Sequence, residues 1–338
     1  MRRAPVLVAR AVFPEVVARL SQHFDVESNP EDRIFDKPTL SARLAGKAGA
    51  FTTGSERIDA EVLDAHPQLR VVANMAVGYN NFDIPACTAR GVLATNTPDV
   101  LTETTADFGF ALMMAAARRM AESEHFLRRG EWTKWAYDMF TGSDVHGATL
   151  GILGMGRIGQ GIARRGALGF GMKVIYHNRS RLTPDQEAPV GARYVDKATL
   201  LGEADHLVLV LPYSAASHHT IGAAELALMK PTATLTNVAR GGIVDDAALA
   251  VALRERRIAA AALDVFEGEP RVHPELLTVP NVVLTPHIAS ATVATRRKMA
   301  ELAADNLIAA LTGGTPPTPI NPEVLRDGRL PPPRTGRG

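Results

Sequence analysis

Three polar residues follow strand-like runs in the C-terminal half of the chain, and their types suit chemistry on a small acid. They are Arg240, Glu269 and His287, and the runs that precede them are TLTNVA, ALDVFEG and VVLTP. Ligands of parallel α/β sheets bind beyond the carboxyl ends of the strands, so we expect the three side chains at one edge of a sheet. A single histidine after a strand is usually structural, whereas the three groups together favour a catalytic set.

The chemistry that fits this set is hydride transfer to a 2-oxo acid. A histidine beside a carboxylate can deliver a proton near neutral pH, because the carboxylate stabilises the imidazolium. An arginine binds a substrate carboxylate through two parallel hydrogen bonds. Asp264 also ends a strand near the expected nicotinamide position and could accept from its carboxamide, although a capping or packing role fits Asp264 equally well. The set predicts a 2-oxo acid substrate and a nicotinamide cofactor.

A glycine-rich stretch, Thr149 to Asn178, indicates where that cofactor binds. Gly154, Gly156 and Gly159 have the GxGxxG spacing, between the apolar run LGIL and the helix-compatible QGIARRGAL. The first glycine allows a sharp turn, the second lets a pyrophosphate approach the backbone, and the third lets the helix pack on the sheet. A second strand, Lys173–Tyr176, completes the βαβ unit, which favours dinucleotide binding over a structural turn.

The ribose position favours NADP(H) over NAD(H). An NAD-selective site usually has Asp or Glu about 20 residues beyond the glycines. Here the sequence is His177-Asn178-Arg179-Ser180-Arg181, and neither Asp nor Glu occurs from Gly151 to Pro184. Two guanidinium groups and a hydroxyl suit a 2′-phosphate, although Arg179 and Arg181 could also be ordinary loop charges.

The architecture that positions these residues is predicted to be α/β with two doubly wound parallel sheets. A chain of 338 residues exceeds the usual size of one core, and 46% hydrophobic with 22% charged residues is typical of a globular protein. Strand-like runs such as PVLVAR, GAFTTG and HLVLVLP alternate with amphipathic helical segments. A long helical pattern covers Leu101 to Arg129, and the Pro-rich chain from Thr315 has too few apolar residues to pack.

The composition also excludes several classes of function. A net charge of +1 gives no reason to expect nucleic acid or an acidic membrane surface as a partner. The longest apolar stretch, Phe108 to Ala117, is too short to span a bilayer, and the single cysteine, Cys87, fits a reducing compartment. We therefore expect a cytoplasmic protein. His218 and His219 are adjacent and are expected to point in different directions, so we predict no metal site.

Several motifs resemble the D-isomer-specific 2-hydroxyacid dehydrogenases. They are GMGRIG, NVARGGIVDD, AALDVFEGEP and TPHIASAT, and the agreement runs from about Val71 to Leu311. Within that family, AVGYNNFDIPACTARGV, TPDVLTETTADFGFAL and GEWTKW are most similar to the glyoxylate and hydroxypyruvate reductases, also called 2-ketoaldonate reductases. Asp246 stands where many relatives have Glu, which leaves the assignment intact.

The resemblance implies a fold and a set of roles. A Rossmann nucleotide domain, residues 101–287, would be inserted into a flavodoxin-like substrate domain, residues 1–100 and 288–338. The Pro-rich residues 315–338 lie outside the similarity, and their composition predicts a partly disordered tail. Arg240 would bind the substrate carboxylate and carbonyl, His287 would be the acid/base, and Glu269 would orient it. Val77 and Gly78 amides would contact the carboxylate, although Gly78 could equally be a structural turn. Trp135 would reach the neighbouring subunit's site in a homodimer.

The predicted cofactor contacts are Gly154, Met155, Gly156, Arg157, Ile158, Gly159, Asn178, Arg179, Ser180, Arg181, Leu211, Pro212, Val238, Ala239, Asp264 and Ala289. The implied function is an NADPH-preferring reductase of glyoxylate and hydroxypyruvate, with 2-ketogluconate as a longer substrate and NAD(H) as a second cofactor. Two alternatives stay open: a dinucleotide-sensing binding protein similar to corepressors of this family, and a dehydrogenase of another small anion such as formate or phosphite.

Overall fold

The computed structural model describes residues 3–331, which form two compact α/β units. Within the described residues, the first unit contains residues 3–101 and 292–331, and the second contains residues 102–291. Each unit has one sheet, and every pair of neighbouring strands in both sheets is parallel. The predicted class, two doubly wound parallel sheets, is confirmed. Across residues 3–331, no helix has the length and apolar character needed to cross a membrane.

The strands are β1 (Pro5–Val8), β2 (Asp25–Ser28), β3 (Gly49–Thr52), β4 (Val71–Asn74), β5 (Leu93–Thr95), β6 (Thr149–Leu153), β7 (Lys173–His177), β8 (Arg193–Tyr194), β9 (His206–Leu209), β10 (Thr234–Asn237), β11 (Ala260–Leu263) and β12 (Val282–Leu284). The helices are α1 (Pro14–His23), α2 (Lys37–Leu44), α3 (Ala60–Ala65), α4 (Ile84–Ala89), α5 (Thr102–Ala117), α6 (Met120–Arg128), α7 (Arg157–Arg164), α8 (Pro184–Glu187), α9 (Lys197–Glu203), α10 (Ala223–Leu228), α11 (Asp246–Arg254) and α12 (Val293–Thr312).

The first unit has the strand order β2-β1-β3-β4-β5, which is the flavodoxin-like order. Aspartates begin three of its helices: the side chains of Asp36, Asp59 and Asp83 accept hydrogen bonds from backbone N–H groups in the first turns of α2, α3 and α4. Helix α12 packs against β3 and β4, while α2, α3 and α4 contribute to the hydrophobic cluster on alternate strand residues. The sheet is therefore covered on both faces, as its apolar runs predict.

The second unit has the strand order β12-β11-β10-β9-β6-β7-β8, which is the Rossmann order with an additional edge strand. The winding direction changes at β6, between β9 and β7, and this change marks the ligand-binding crevice of such sheets. Leu150 and Ile152 of β6 are fully buried. Burial of one such side chain contributes about 1.5–3 kcal/mol relative to exposure, so β6 is anchored by its apolar residues.

One row of paired residues crosses the second sheet and sets the position of the site. The row consists of Leu284, Leu263, Asn237, Leu209, Leu153 and His177. Each is the last residue of its strand, so the segments that follow all leave the sheet at one edge. Predicted site residues that lie within three positions of this row include Gly154, Asn178, Arg240, Asp264 and His287.

The long helical pattern from Leu101 to Arg129 forms two helices rather than one. Helix α5 ends at Ala117, and Arg119 adopts a left-handed conformation with φ of 51° before α6 begins. The Arg119 guanidinium bonds both carboxylate oxygens of Glu122 at 2.9 Å, which holds the break in place. Hydrophobic periodicity continues through such a break, so the sequence pattern alone predicts a single helix.

The chain after Thr315 also differs from expectation, because residues up to 331 pack on the first unit. Ile320 N–H donates to the Ala94 carbonyl at 2.8 Å, and the fully buried Asn321 accepts from Ala94 N–H at 2.8 Å. Strand β5 is an edge strand, and its unpaired backbone groups obtain partners from this segment. These hydrogen bonds, together with buried Val324 and Leu330 and with Ile320 packed on the hydrophobic cluster of the first unit, hold the segment in place. The rest of the predicted tail, residues 332–338, lies outside the described residues.

Candidate active site

The glycine-rich turn leaves β6 with the geometry that its spacing predicts. Gly154 has φ of 101°, and a Cβ there would lie 2.7 Å from Leu211 N. A Cβ on Gly159 would lie 2.6 Å from the Gly154 carbonyl oxygen, so α7 approaches the turn too closely for any side chain. A Cβ on Gly156 would meet no atom within 4 Å. The two outer glycines are required by packing, whereas the space beside Gly156 is open to a ligand.

Free backbone donors surround that open space. Gly156 is the N-cap of α7, and neither Ile158 N–H nor Gly159 N–H has an acceptor within residues 3–331. The first-turn N–H groups of a helix have no intrahelical partner and favour an anion. Asn178 closes the other side of the turn, because its Oδ1 accepts from Met155 N–H at 2.6 Å. These groups fit the pyrophosphate of a dinucleotide.

The two arginines after β7 have different surroundings. Arg181 donates through Nε and Nη2 to the two carboxylate oxygens of Glu187, at 2.9 and 2.8 Å. Tyr176 Oη, on a fully buried side chain, donates to the same carboxylate at 2.6 Å. Arg179, by contrast, makes no hydrogen bond or ion pair within the described chain. Arg181 is thus held by an acid and Arg179 is free for a phosphate.

Sequence reasoning missed Glu187, which lies three residues beyond the window searched for acids. The hydrogen bonds from Arg181 and from Tyr176 lower the pKa of its carboxyl to about 2, against an opposing effect of burial. Burial, together with the bond to Glu187, raises the pKa of Tyr176 to about 12. The signal available in the sequence was the helix start T-P-D-Q-E, which begins α8 with a capping box and brings Glu187 back towards β7.

Arg240 lies three residues beyond the end of β10 on a loop with little room. A Cβ on Gly241 would lie 1.7 Å from the Phe266 carbonyl oxygen, so the loop after β10 and the loop after β11 touch through backbone. Asn237 Nδ2 donates to the Arg240 carbonyl at 3.2 Å and Arg240 Nη1 donates to the Ala239 carbonyl at 2.8 Å. The guanidinium is partly buried, and its remaining N–H donors are left for a ligand.

Glu269 and His287 meet directly. His287 Nδ1 and Glu269 Oε2 are 2.8 Å apart, and Glu269 Oε1 accepts from Phe266 N–H at 2.9 Å. The carboxylate is thereby fixed at both oxygens and holds the imidazole by Nδ1, which leaves Nε2 for a substrate. The side chain of His287 is 45% exposed, so a small molecule can reach it.

The charges of Arg240, Glu269 and His287 influence one another. Burial raises the pKa of the Glu269 carboxyl, but the hydrogen bond from His287 and the charges of His287 and Arg240 outweigh burial, so that the pKa lies below its ordinary value. Burial lowers the pKa of the Arg240 guanidinium, and the Glu269 carboxylate opposes this change. Arg240 stays charged at any ordinary pH because its reference pKa is so high. The edge thus carries one fixed cation and one fixed anion beside the imidazole.

Asp264 fixes the loop that carries His287. Its carboxylate accepts from Thr285 Oγ1 at 2.7 Å, Ile288 N–H at 2.8 Å and Ala289 N–H at 2.8 Å. The residue is fully buried, and His287 adopts φ of 55° in the turn that these bonds close. The packing alternative foreseen for Asp264 is therefore present in the structure. The nicotinamide contact stays a prediction for Asp264, because its buried carboxylate already has three protein donors.

The remaining predicted cofactor residues flank the same edge. Leu211 and Pro212 follow β9, and Val238 and Ala239 follow β10. Ala289 follows the His287 turn and is tied to Asp264, and Ser180 lies between the two arginines.

Val77 and Gly78 belong to the first unit, on the segment after β4. The Val77 carbonyl accepts from Asn96 Nδ2 at 2.8 Å and the Gly78 carbonyl accepts from Asn74 Nδ2 at 3.1 Å. Neither N–H group has an acceptor within residues 3–331. With both carbonyls held by side-chain amides, the two free N–H groups can donate hydrogen bonds to an anion.

The two adjacent histidines do not point in different directions, so that part of the sequence interpretation is wrong. The rings of His218 and His219 stack with centroids 3.8 Å apart, and Glu267 lies beside them. Trp132 and Trp135 are 55% and 77% exposed, which excludes a core role within this chain. A subunit contact, the role expected for Trp135, fits this exposure.

The fold, together with the polar residues at the carboxyl edge of the second sheet, defines a class of enzyme. Residues 110–289 match the family model described as D-isomer specific 2-hydroxyacid dehydrogenase, NAD binding domain. The chain belongs to this family, as its motifs predicted. It is an NAD(P)-dependent oxidoreductase that acts on small 2-oxo or 2-hydroxy acids.

Individual proteins with stated activities are similar to this chain over nearly its whole length. The chain is 48% identical over 328 residues to a glyoxylate reductase of Thermococcus kodakarensis, covering 96% of this chain and 98% of that protein. It is 48% identical to a glyoxylate reductase of Aeropyrum pernix, with coverage of 96% and 98%. A solved NADPH-dependent glyoxylate/hydroxypyruvate reductase from Sinorhizobium meliloti, in complex with NADP and malonate, is 37% identical with a TM-score of 0.83, covering 94% of this chain and 97% of that one.

Proposed function

We propose that the protein is an NADPH-preferring reductase that converts glyoxylate to glycolate and hydroxypyruvate to D-glycerate, with 2-ketogluconate as a longer substrate. The 2.8 Å hydrogen bond between His287 Nδ1 and Glu269 Oε2 carries the proposal, because it forms an acid/base pair at the sheet edge that also has the glycine-rich turn. The names of the relatives from Thermococcus kodakarensis and Sinorhizobium meliloti support the choice of substrates.

Arg240 holds the carboxylate that all these substrates share. Its guanidinium presents parallel donors that match a carboxylate, and burial strengthens the interaction by excluding water. The backbone contact between Gly241 and Phe266 leaves the loop little freedom, so the guanidinium is positioned before the substrate arrives. A substrate analogue that lacks the carboxylate should therefore bind much more weakly.

His287 delivers the proton. When bound, a nicotinamide cofactor would supply the hydride that C2 of the substrate accepts. The carbonyl oxygen takes the proton from His287 Nε2, and the imidazolium becomes a neutral imidazole that keeps its Nδ1–H. Glu269 accepts that Nδ1–H throughout, which fixes the tautomer and the ring orientation.

The cofactor is held by the glycine-rich turn and selected by the arginines. Gly156 and the free N–H groups of Ile158 and Gly159 bind the pyrophosphate. Arg179 binds the 2′-phosphate, since its guanidinium has no protein partner within the described chain, and Arg181 adds positive charge from its place on Glu187. The side chain of Arg181 is 63% exposed and can contact a phosphate while it keeps this ion pair.

A homodimer is part of this proposal. Large apolar side chains are exposed along one continuous stretch of the second unit: Met120, Leu127, Trp132, Trp135 and Tyr137. Subunit contacts are enriched in tryptophan, tyrosine and methionine, so these side chains suit an interface between two copies of the chain. Trp135, at 77% exposure, is the residue proposed to reach the neighbouring subunit.

One steady-state panel tests the proposal. The purified enzyme is given NADPH or NADH with glyoxylate, hydroxypyruvate or 2-ketogluconate, and NAD(P)⁺ with formate or phosphite. We expect the highest kcat/KM with NADPH and the two short 2-oxo acids. Cofactor binding without turnover of any acid would instead favour a dinucleotide sensor, and turnover of formate or phosphite would favour the other dehydrogenase class.

A further inference from the structure

Glu187, the acid that sequence reasoning missed, lies beside the loop that carries the two arginines. Its side chain is only 9% exposed, and its carboxylate binds Arg181 through Nε and Nη2 while it accepts from Tyr176 Oη. Burial of a carboxylate is costly unless charge and hydrogen bonds compensate for the lost water, and here both do. The proposed function gives Arg181 a task but gives none to this acid.

Hydrogen bonds fix both ends of the loop, residues 178–182. At its start, Tyr194 Oη donates to the Asn178 carbonyl at 3.1 Å. At its end, Leu182 N–H donates to Tyr176 Oη at 2.9 Å, so the phenol that bonds Glu187 also holds the loop. Glu187 is the last residue of α8, and a capping box fixes the start of that helix. The carboxylate therefore has a set position before a cofactor binds.

The ion pair leaves one edge of the Arg181 guanidinium for a ligand. Nε and Nη2 donate to the two Glu187 oxygens at 2.9 and 2.8 Å, which is a bidentate pair along one side of the group. The guanidinium has further N–H donors in the same plane, so Nη1 and Nη2 present two parallel donors along another edge. The side chain is 63% exposed, so a ligand can reach it. Two parallel donors match two oxygens of a phosphate.

We propose that Glu187 is a positioning residue for cofactor selection: it holds Arg181 so that the remaining edge of the guanidinium binds the 2′-phosphate of NADPH. This inference rests on the proposed preference for NADPH. A mobile arginine loses rotamer freedom when it binds a phosphate, and the ion pair with Glu187 has already removed that freedom. Arg179 has no protein partner within the described chain, so the phosphate itself must order that side chain.

Charge alone would act in the opposite direction. The Glu187 carboxylate neutralises part of the positive charge of Arg181, and this effect by itself weakens the attraction for a phosphate. The hydrogen bonds from Arg181 and Tyr176 lower the pKa of Glu187 to about 2, so the carboxyl is ionised at neutral pH. Glu187→Asp separates the two effects, because it keeps the anion but shortens the side chain, which then cannot reach Arg181 in the same way.

Binding of NADPH and NADH to Glu187→Asp tests the proposal without catalysis. The two nucleotides differ only by the 2′-phosphate, and fluorescence titration gives a dissociation constant for each. Ordering one long side chain costs roughly 2–10-fold in affinity, so the preference for NADPH, the ratio of the NADH constant to the NADPH constant, should fall by about that factor. Glu203→Asp is the matched control, because it shortens the acid of an exposed pair with Arg193 and should leave the preference unchanged.

A double-mutant cycle shows whether Glu187 acts through Arg181. Arg181→Ala alone should lower the preference, and Glu187→Asp should lower it no further in that background. An unchanged preference in Glu187→Asp overturns the proposal even where both nucleotides bind more weakly, because a purely structural role predicts equal losses. A further fall in the Arg181→Ala background also overturns it. A wild type that binds NADH as tightly as NADPH would contradict the NADPH preference itself and, with it, this role of Glu187.

Discussion

The main-chain N–H of His287 donates to the main-chain carbonyl of Asp264 at 2.9 Å. The Asp264 carboxylate also accepts from Thr285, Ile288 and Ala289, on both sides of the histidine. One buried acid therefore sets the backbone of the residue proposed to deliver the proton. The position of the imidazole depends on two acids: Glu269 holds the ring, and Asp264 holds the chain to which the ring is attached.

Asp264→Asn should reduce both stability and turnover. An amide places an NH₂ group against backbone N–H donors, and leaving a buried donor without an acceptor costs about 1–3 kcal/mol. Thr285→Val is the matched control, because it removes only the hydroxyl donor and should cost about 1 kcal/mol with a smaller loss of kcat. Chemical denaturation and kcat at saturating substrate measure the two effects. Equal losses in the two variants would contradict the role of Asp264 as the anchor of the turn.

Gly241→Ala should lower the stability of the protein, whereas Gly156→Ala should lower its affinity for the cofactor. The Gly241 Cβ would overlap the Phe266 carbonyl, at 1.7 Å, so this variant should unfold at a clearly lower temperature. The Gly156 Cβ meets no atom within 4 Å, so that variant should keep its unfolding temperature. It should lose roughly tenfold or more in NADPH affinity, about 1.4 kcal/mol, because the methyl group projects towards the pyrophosphate position. Thermal unfolding and cofactor titration of both variants measure the two effects. Unchanged cofactor affinity in Gly156→Ala would mean that the pyrophosphate binds elsewhere.

Arg179→Ala should erode the preference for NADPH. A hydrogen bond to a charged group contributes about 1.5–3 kcal/mol, so the ratio of kcat/KM for NADPH over NADH should fall by about 10–100-fold. Arg193→Ala, which removes an exposed arginine on β8, should leave the ratio unchanged. A ratio that survives Arg179→Ala would mean that the phosphate is selected by another group.

The ion pair between Arg181 and Glu187 should make the free energy of unfolding depend on pH in the acid range. The Glu187 pKa is about 2 in the folded protein and near 4.5 ordinarily, so its contribution is complete above the ordinary value and is lost as pH falls towards the folded value. The difference in unfolding free energy between wild type and Glu187→Gln should therefore shrink from about pH 6 to about pH 3. Urea denaturation over this range measures the difference, and a gap that widens on acidification would contradict the assigned direction.

Much of this architecture follows from local patterns in the chain. Short β-branched runs that end in polar loops predict parallel strands, and parallel strands place Gly154, Arg240, Asp264 and His287 at one edge. The glycine roles follow from spacing, because backbone contacts such as that between Gly159 and Gly154 belong to the motif itself.

Other features depend on contacts that spacing does not encode. Arg119 interrupts a continuous apolar pattern through its own backbone conformation. Asn321 orders the chain after Thr315 through hydrogen bonds to Ala94 of β5 and to Val92 just before it, which apolar content does not reveal. The stacking of His218 on His219 results from a left-handed residue, and adjacent positions in sequence predict divergence instead.

The most direct test of the account is the turnover of His287→Gln with glyoxylate and NADPH, both at saturation. Glutamine keeps a polar side chain at this position but cannot deliver a proton as an acid, and a positioned general acid contributes about 10²–10⁴-fold in rate. We predict that kcat falls by that factor while NADPH binds as tightly as in the wild type. A kcat within a few-fold of wild type would contradict the proposal that His287 supplies the proton.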